Sequence, residues 1–175
     1  MNQTERAKKI KLAAFDVDGV MTDGSLTFDE NGVEYKTFNA KDGQGIVMLN
    51  KTGFYTVIIT ARTNGTVRHR FEILGMTKLF EGQKNKKTAL DELCKEFNVT
   101  YDKVAYMGDD LPDLCVIECA GLSACPADAV DEVKEAVHMV CSKNGGRGAV
   151  REFCDLILSA QNKNPYKNKS ALISK

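Results

Sequence analysis

The sequence carries no excess of charge. Twenty-four basic residues balance twenty-four acidic ones, so no global field steers the chain toward nucleic acid or an anionic membrane. No apolar run approaches the length of a membrane span. The first residues, MNQTERAKKIKLAAF, are charged and lack the apolar centre of a signal segment. These absences predict a cytoplasmic protein with neither a nucleic-acid nor a membrane partner. The six cysteines (94, 115, 119, 125, 141 and 154) form no C-x-x-C pair, and each sits among apolar neighbours. Cys115 and Cys119 are four apart, but zinc would need two more ligands in register, so the cysteines read as reduced thiols filling the core. Internal repeats, low-complexity segments and interdomain linkers are also missing. The 175 residues make one domain over 1–160. A tail over 161–175 follows, with four lysines and no acid, expected to be solvated and partly disordered.

What is present starts with Lys11-Leu-Ala-Ala-Phe-Asp16-Val-Asp18-Gly19-Val20. Its apolar run from Leu12 to Phe15 stops at two carboxylates and a glycine, the pattern of a buried parallel strand delivering its C-terminal end to a site. Leu26 and Phe28, a turn at Asp29–Gly32, then Val33, Tyr35 and Thr37 predict a β-hairpin over about 25–38. Further strands are expected at Phe54–Ile59, Leu79–Phe80, Val104–Met107, Leu122–Cys125 and His138–Cys141. Helices are expected at Ile46–Lys51, 64–74, 86–97, Pro112–Cys119, 128–137 and 147–160. Alternating strands and helices predict an α/β fold, a Rossmann-like parallel sheet with helices on both faces.

Four strand ends carry pointed chemistry: Asp16 with Asp18, Thr60, Lys86, and Asp109 with Asp113. A lone D-x-D or Gly-Asp-Asp is a solvated turn by default, but their succession at strand ends points to phosphoryl transfer. A carboxylate attacks a phosphate dianion only if charge is neutralised. A hard divalent cation on carboxylate oxygens does that, and magnesium suits few protein ligands plus phosphate. A lysine and a hydroxyl donate to the equatorial oxygens, and a covalent aspartyl intermediate divides the hydrolysis into two easier steps.

These residues resemble the haloacid dehalogenase-like phosphatases. The resemblance implies Asp16 as nucleophile and magnesium ligand. It implies Asp18 as the group that protonates the leaving alcohol and then activates water, its backbone carbonyl on the metal. Thr60 and Lys86 would hold the phosphoryl group, Asp109 would complete the metal site, and Asp110 or Asp113 would assist from behind it. Lys84 and Lys87 are near alternatives to Lys86, which the pattern Gly82-Gln-Lys-Asn85-Lys86 favours. A closer resemblance, over about residues 9–161, is to the 3-deoxy-D-manno-octulosonate 8-phosphate phosphatases. It rests on DVDGV-x-TDG, Asp42-Gly43-x-Gly45-Ile46, Thr60-x-Arg62, Gly108-Asp-Asp-Leu-Pro-Asp113 and Gly145-Gly-Arg-Gly-Ala-Val-Arg-Glu152. It implies that Asn39, Ala40, Lys41, Asp42 and Gly43, with Arg62 and Arg70, contact the sugar acid, whose carboxylate an arginine fork fits. Read without the resemblance, Arg70 is an ordinary surface charge, while Arg62, at a strand end, fits a solvated charge and a site residue equally.

Two residues depart from that family. Ala61 stands where a glycine is usual, which would strain the turn if φ had to be positive. Lys41 stands for an arginine and loses the bidentate fork. Asp16 to Thr60 and Thr60 to Lys86 leave no room for a cap domain. Something else should then cover the site, and the resemblance implies a homotetramer in which a neighbouring subunit helps to close it, with Leu26, Phe28, Val33 and Tyr35 as the expected contacts. Two alternatives stay open: a phosphatase for a nine-carbon ulosonic acid 9-phosphate, whose relatives tend to carry acids where Arg62 and Arg147 stand, and a non-catalytic oligomerisation module of the same fold.

Overall fold

A computed structural model describes residues 1–166 of the chain. Its first half runs α1 (Gln3–Ala7), β1 (Leu12–Phe15), a hairpin of β2 (Thr27–Phe28) and β3 (Glu34–Tyr35), α2 (Ala40–Lys51), β4 (Tyr55–Ile59) and α3 (Gly65–Leu74). Its second half runs β5 (Lys78–Phe80), α4 (Lys86–Glu96), β6 (Val104–Met107), α5 (Leu114–Ile117), β7 (Leu122–Cys125), α6 (Asp131–Ala136), β8 (Met139–Val140) and α7 (Ala149–Ala160). Six strands form one parallel sheet in the order β5–β4–β1–β6–β7–β8, and the hairpin stands apart.

Alternation along each buried strand divides the core in two. Ala13 and Phe15 of β1 pack into a cluster with Ile46 and Leu49 of α2, Val67 of α3 and Phe153 and Ile157 of α7. Leu12 and Ala14 face the opposite cluster, with Leu90 and Leu93 of α4, Val116 of α5 and Val133 of α6. Helices thus cover both faces, and no helix among the described residues is long and apolar enough to cross a membrane. All six cysteines are free; Cys125, Cys141 and Cys154 are buried and the other three half-buried.

The chain passes from β1 to β4 and β5 on one side, then returns to β6 on the other. Ligands in such sheets bind where the order reverses, outside the strands' carboxyl ends. Phe15 lies level with Ile58 on one neighbour and Met107 on the other. That register brings Asp16, Thr60 and Asp109 to one edge.

Several boundaries differ from expectation. The helix expected from Ile46 begins at Ala40, because the Asn39 side chain accepts hydrogen bonds from Lys41 N at 2.8 Å and Asp42 N at 3.3 Å and so caps it. Gly43 and Gly45, ahead of the expected start, lie inside this helix where neighbours leave no room for a side chain: a Cβ on Gly43 would fall 2.2 Å from Arg70 Nη2. The helix expected over Pro112–Cys119 is a 3-10 turn at Leu111–Asp113 followed by the single turn α5, and that over 128–137 shortens to α6. Helix α1 was not expected; a capping box between Asn2 and Glu5 starts it. The solvated tail expected from 161 is tied down over its first residues. Gln161 Nε2 donates to the carbonyls of Ala7 at 3.0 Å and Ile10 at 2.8 Å, and Tyr166 Oη accepts from Gln44. Residues 167–175, including most of that tail's lysines, lie outside the described residues.

Candidate active site

Asp16, Asp18, Thr60, Arg62, Lys86, Asp109, Asp110 and Asp113 line one cavity of about 270 Å³ at the reversal of strand order. Asp16 N continues the ladder of β1 by donating to Met107 O at 3.0 Å, which fixes the carboxylate at the strand's mouth. Gly19 follows at φ +82°, letting the loop pass against Asp109. Lys86, in the first turn of α4, is buried. Its Nζ lies 2.9 Å from Asp16 Oδ2 and 2.6 Å from Asp113 Oδ1. The alternatives fall elsewhere: Lys84 is exposed, and Lys87 pairs with Asp91.

Asp113 is fully committed. Its Oδ1 also accepts from Tyr106 Oη at 2.5 Å, and its Oδ2 accepts from Asp109 N at 3.0 Å and Asp110 N at 3.3 Å. A carboxylate has about four lone-pair sites, so Asp113 orients Lys86 and the Asp109 turn and has none left for a ligand. Asp110 Oδ1 caps the turn through Leu111 N. Asp109 differs: its Oδ1 is buried and accepts no hydrogen bond. Oxygens of Asp16, Asp109 and Asp113 lie within 4.8 Å of one another. Burial first, then Asp113, raises Asp16 to about 7 despite Lys86. Burial, then Asp16 and Asp113, raises Asp109 to about 8. Burial pulls Lys86 down, yet Asp16 and Asp113 together hold it above its ordinary value. Three carboxylates against one ammonium leave negative charge unbalanced in a buried space. An orphaned buried oxygen on Asp109, in a carboxylate grouped with Asp16, fits a hard divalent cation.

Thr60, buried at the end of β4, keeps its hydroxyl at the rim, where Oγ1 accepts from Arg62 N at 3.2 Å. Ala61 is unstrained, because Asn98 and Asn162 are the positive-φ residues other than glycine among the described ones. Across the mouth, Asp18 pairs with Lys36 of the hairpin, and Lys36 Nζ also reaches Glu34 Oε1 at 2.8 Å. Arg62 Nη2 donates to Glu34 Oε2 at 2.6 Å. Hydrogen bonds from Lys36 and Arg62 hold Glu34 down to about 2. Glu34, Lys36 and Tyr106 were not among the residues expected from the sequence.

The other expected substrate contacts lie outside this cavity. Asn39 caps α2 and donates to Gly146 O at 3.2 Å; Ala40 and Lys41 are exposed beside it. Asp42 is buried, and its carboxylate accepts from Arg151 N at 2.8 Å and Gly148 N at 3.2 Å, capping α7. Gly43 packs under Arg70, which donates to Asn39 O at 3.2 Å and lies over the Phe38 ring. The glycine-rich stretch 144–148 backs the loop after β1, with Gly146 N donating to Val20 O at 2.9 Å and Arg147 pairing with Asp23.

Comparison with known proteins agrees with this fold. Residues 75–153 match the family model of haloacid dehalogenase-like hydrolases. The chain is similar to the 3-deoxy-D-manno-octulosonate 8-phosphate phosphatase of Haemophilus influenzae, 42% identical over 159 residues, or 91% of this chain and 88% of that one. The crystal structure of that phosphatase from Yersinia pestis superposes with a TM-score of 0.92 at 43% identity, covering 94% of this chain and 89% of its own. The Moraxella catarrhalis enzyme, solved with magnesium ion, phosphate ion and KDO, superposes with a TM-score of 0.90 at 39% identity, covering 97% and 95%. Fold and carboxylate site together define the class, a haloacid dehalogenase-like phosphatase. At these identities and coverages the chain belongs to the 3-deoxy-D-manno-octulosonate 8-phosphate phosphatase family.

Proposed function

We propose that the protein hydrolyses 3-deoxy-D-manno-octulosonate 8-phosphate to the free sugar acid and phosphate, through a phosphoaspartate on Asp16. The observation that carries this reading is the buried arrangement of Asp16, Lys86 and the orphaned Asp109 oxygen at the sheet's switch point. Lys86 holds Oδ2 of Asp16, so Oδ1 is the attacking oxygen. The same ammonium and the Thr60 hydroxyl hold the phosphoryl oxygens. Asp18 gives a proton to the departing sugar oxygen and later takes one from the water that cleaves the phosphoaspartate. Asp16, Asp109 and the Asp18 carbonyl would hold Mg²⁺, which supplies charge neutralisation between the nucleophile and the phosphate dianion.

Arg62 at the cavity rim meets the sugar's carboxylate. Arg70 and the stretch Asn39–Lys41 extend that specificity surface, held from beneath by the buried Asp42 and Gly43 and completed by a second subunit of a homotetramer. The exposed hairpin side chains Leu26, Phe28, Val33 and Tyr35 support that assembly. The product is the sugar acid of bacterial lipopolysaccharide, made in the cytoplasm. Asp16→Asn should abolish phosphate release with the fold intact by circular dichroism. Appreciable turnover in that variant would refute the nucleophile assignment.

A further inference from the structure

Four charges close into a ring over the mouth of the site. Asp18 Oδ1 pairs with Lys36, Lys36 with Glu34 Oε1, and Glu34 Oε2 with Arg62. Arg62 Nε returns to within 3.8 Å of Asp18 Oδ2. Glu34 and Lys36 alternate with the exposed Val33 and Tyr35, so they share the hairpin's inner face. The Lys36 side chain is 1% exposed. A lysine that far out of water is held by its partners and is not a floating surface charge. Asp18 Oδ2 accepts no hydrogen bond from the described residues, and Arg62 Nε stands beyond hydrogen-bond distance.

We propose that Lys36 is a positioning residue that anchors Asp18 Oδ1, leaving Oδ2 as the oxygen that handles the proton. This rests on the phosphatase reading above. In the first step Asp16 Oδ1 bonds to phosphorus while the phosphorus–sugar oxygen bond breaks. The proton on Asp18 Oδ2 passes to that sugar oxygen, and Asp18 is left ionised. In the second step water bonds to phosphorus, its proton goes to Asp18 Oδ2, and the bond from phosphorus to Asp16 breaks. A carboxylate turned by even a small angle loses reach to the leaving oxygen. The ring fixes that angle from the hairpin side, and through Glu34 it ties the same hairpin to Arg62.

Proton delivery matters for an alkyl leaving group and little for nitrophenolate, which departs as a stable anion. The test therefore compares kcat/KM, which reports steps through departure of the alcohol, for a sugar phosphate and for p-nitrophenyl phosphate. Lys36→Met should lower the sugar phosphate value by roughly 10–100-fold and at least tenfold more than the aryl value, and Lys36→Arg should restore most of the ratio. Equal losses on both substrates, or no loss, would overturn the proposal. Melting temperature is followed in parallel. If the methionine variant fails to fold, Lys36→Gln is read against the same two outcomes. Wild type and Asp16→Asn run alongside: no release by wild type, or release by Asp16→Asn, would sink the phosphatase reading itself.

Discussion

A Cβ on Gly19 would fall 2.0 Å from Asp109 Oδ2, and the residue's φ of +82° penalises any L side chain. Gly19→Ala should therefore displace the Asp109 carboxylate, lowering magnesium affinity and activity together in a titration of phosphate release against metal. The pKa shifts at this scale also have a sign. Asp16 and Asp109 rise from 3.8 to about 7 and about 8 in the folded protein. The unfolded chain ionises first, so their contribution to stability is fully present below about pH 4 and is lost as pH rises through 7 to 8. A divalent cation takes the ionised forms. The gain in melting temperature on adding magnesium should thus be larger at pH 8 than at pH 6; an equal or smaller gain at pH 8 would separate the metal from these carboxylates. Asp16, Thr60 and Asp109 were legible in the sequence because each closes an apolar run, whereas Lys86 was picked out by the pattern Gly82-Gln-Lys-Asn85-Lys86. Tyr106 was not, since a tyrosine inside a buried strand reads as core until Asp113 is seen folded back onto it. Glu34 and Lys36 escaped for a related reason: their alternation was visible, but the partners across the mouth are far away in sequence.

Among elements, α2 and the hairpin diverged most from simple reading. The helix expected from Ile46 reaches back past two glycines to Ala40, because Asn39 caps it there and Arg70 packs where a side chain at position 43 would stand. This placement turns Asp42 onto the N-terminus of α7. Asp42→Ala leaves two backbone N–H groups without their acceptor and should cost about 1–3 kcal/mol in urea unfolding. A loss confined to KM, with stability unchanged, would instead support the sugar contact implied by resemblance. The hairpin and its turn were legible from alternation, but its strands are two residues long. A pair that short is marginal alone. It stays in place through charge on its inner face, while Leu26, Phe28, Val33 and Tyr35 stay exposed.

The whole molecule is the scale at which sequence pattern served best. Parallel order, helices on both faces and the absence of cap-sized insertions follow from strand–helix alternation, which is local. Strand order is not local; it emerges once the chain crosses β1, and that crossing makes the crevice. Assembly belongs to this scale too. Phe28→Glu should shift the proposed tetramer toward smaller species in light scattering at micromolar concentration and lower turnover with it. An unchanged mass with unchanged turnover would remove the hairpin from the interface. The central claim is tested most directly by kcat/KM for phosphate release, with magnesium present, from 3-deoxy-D-manno-octulosonate 8-phosphate, a nine-carbon ulosonic acid 9-phosphate and p-nitrophenyl phosphate. The account predicts the eight-carbon substrate ahead of both others by at least roughly tenfold, about 1.4 kcal/mol of transition-state binding. Preference for the nine-carbon substrate, or equal rates on all three, would contradict it.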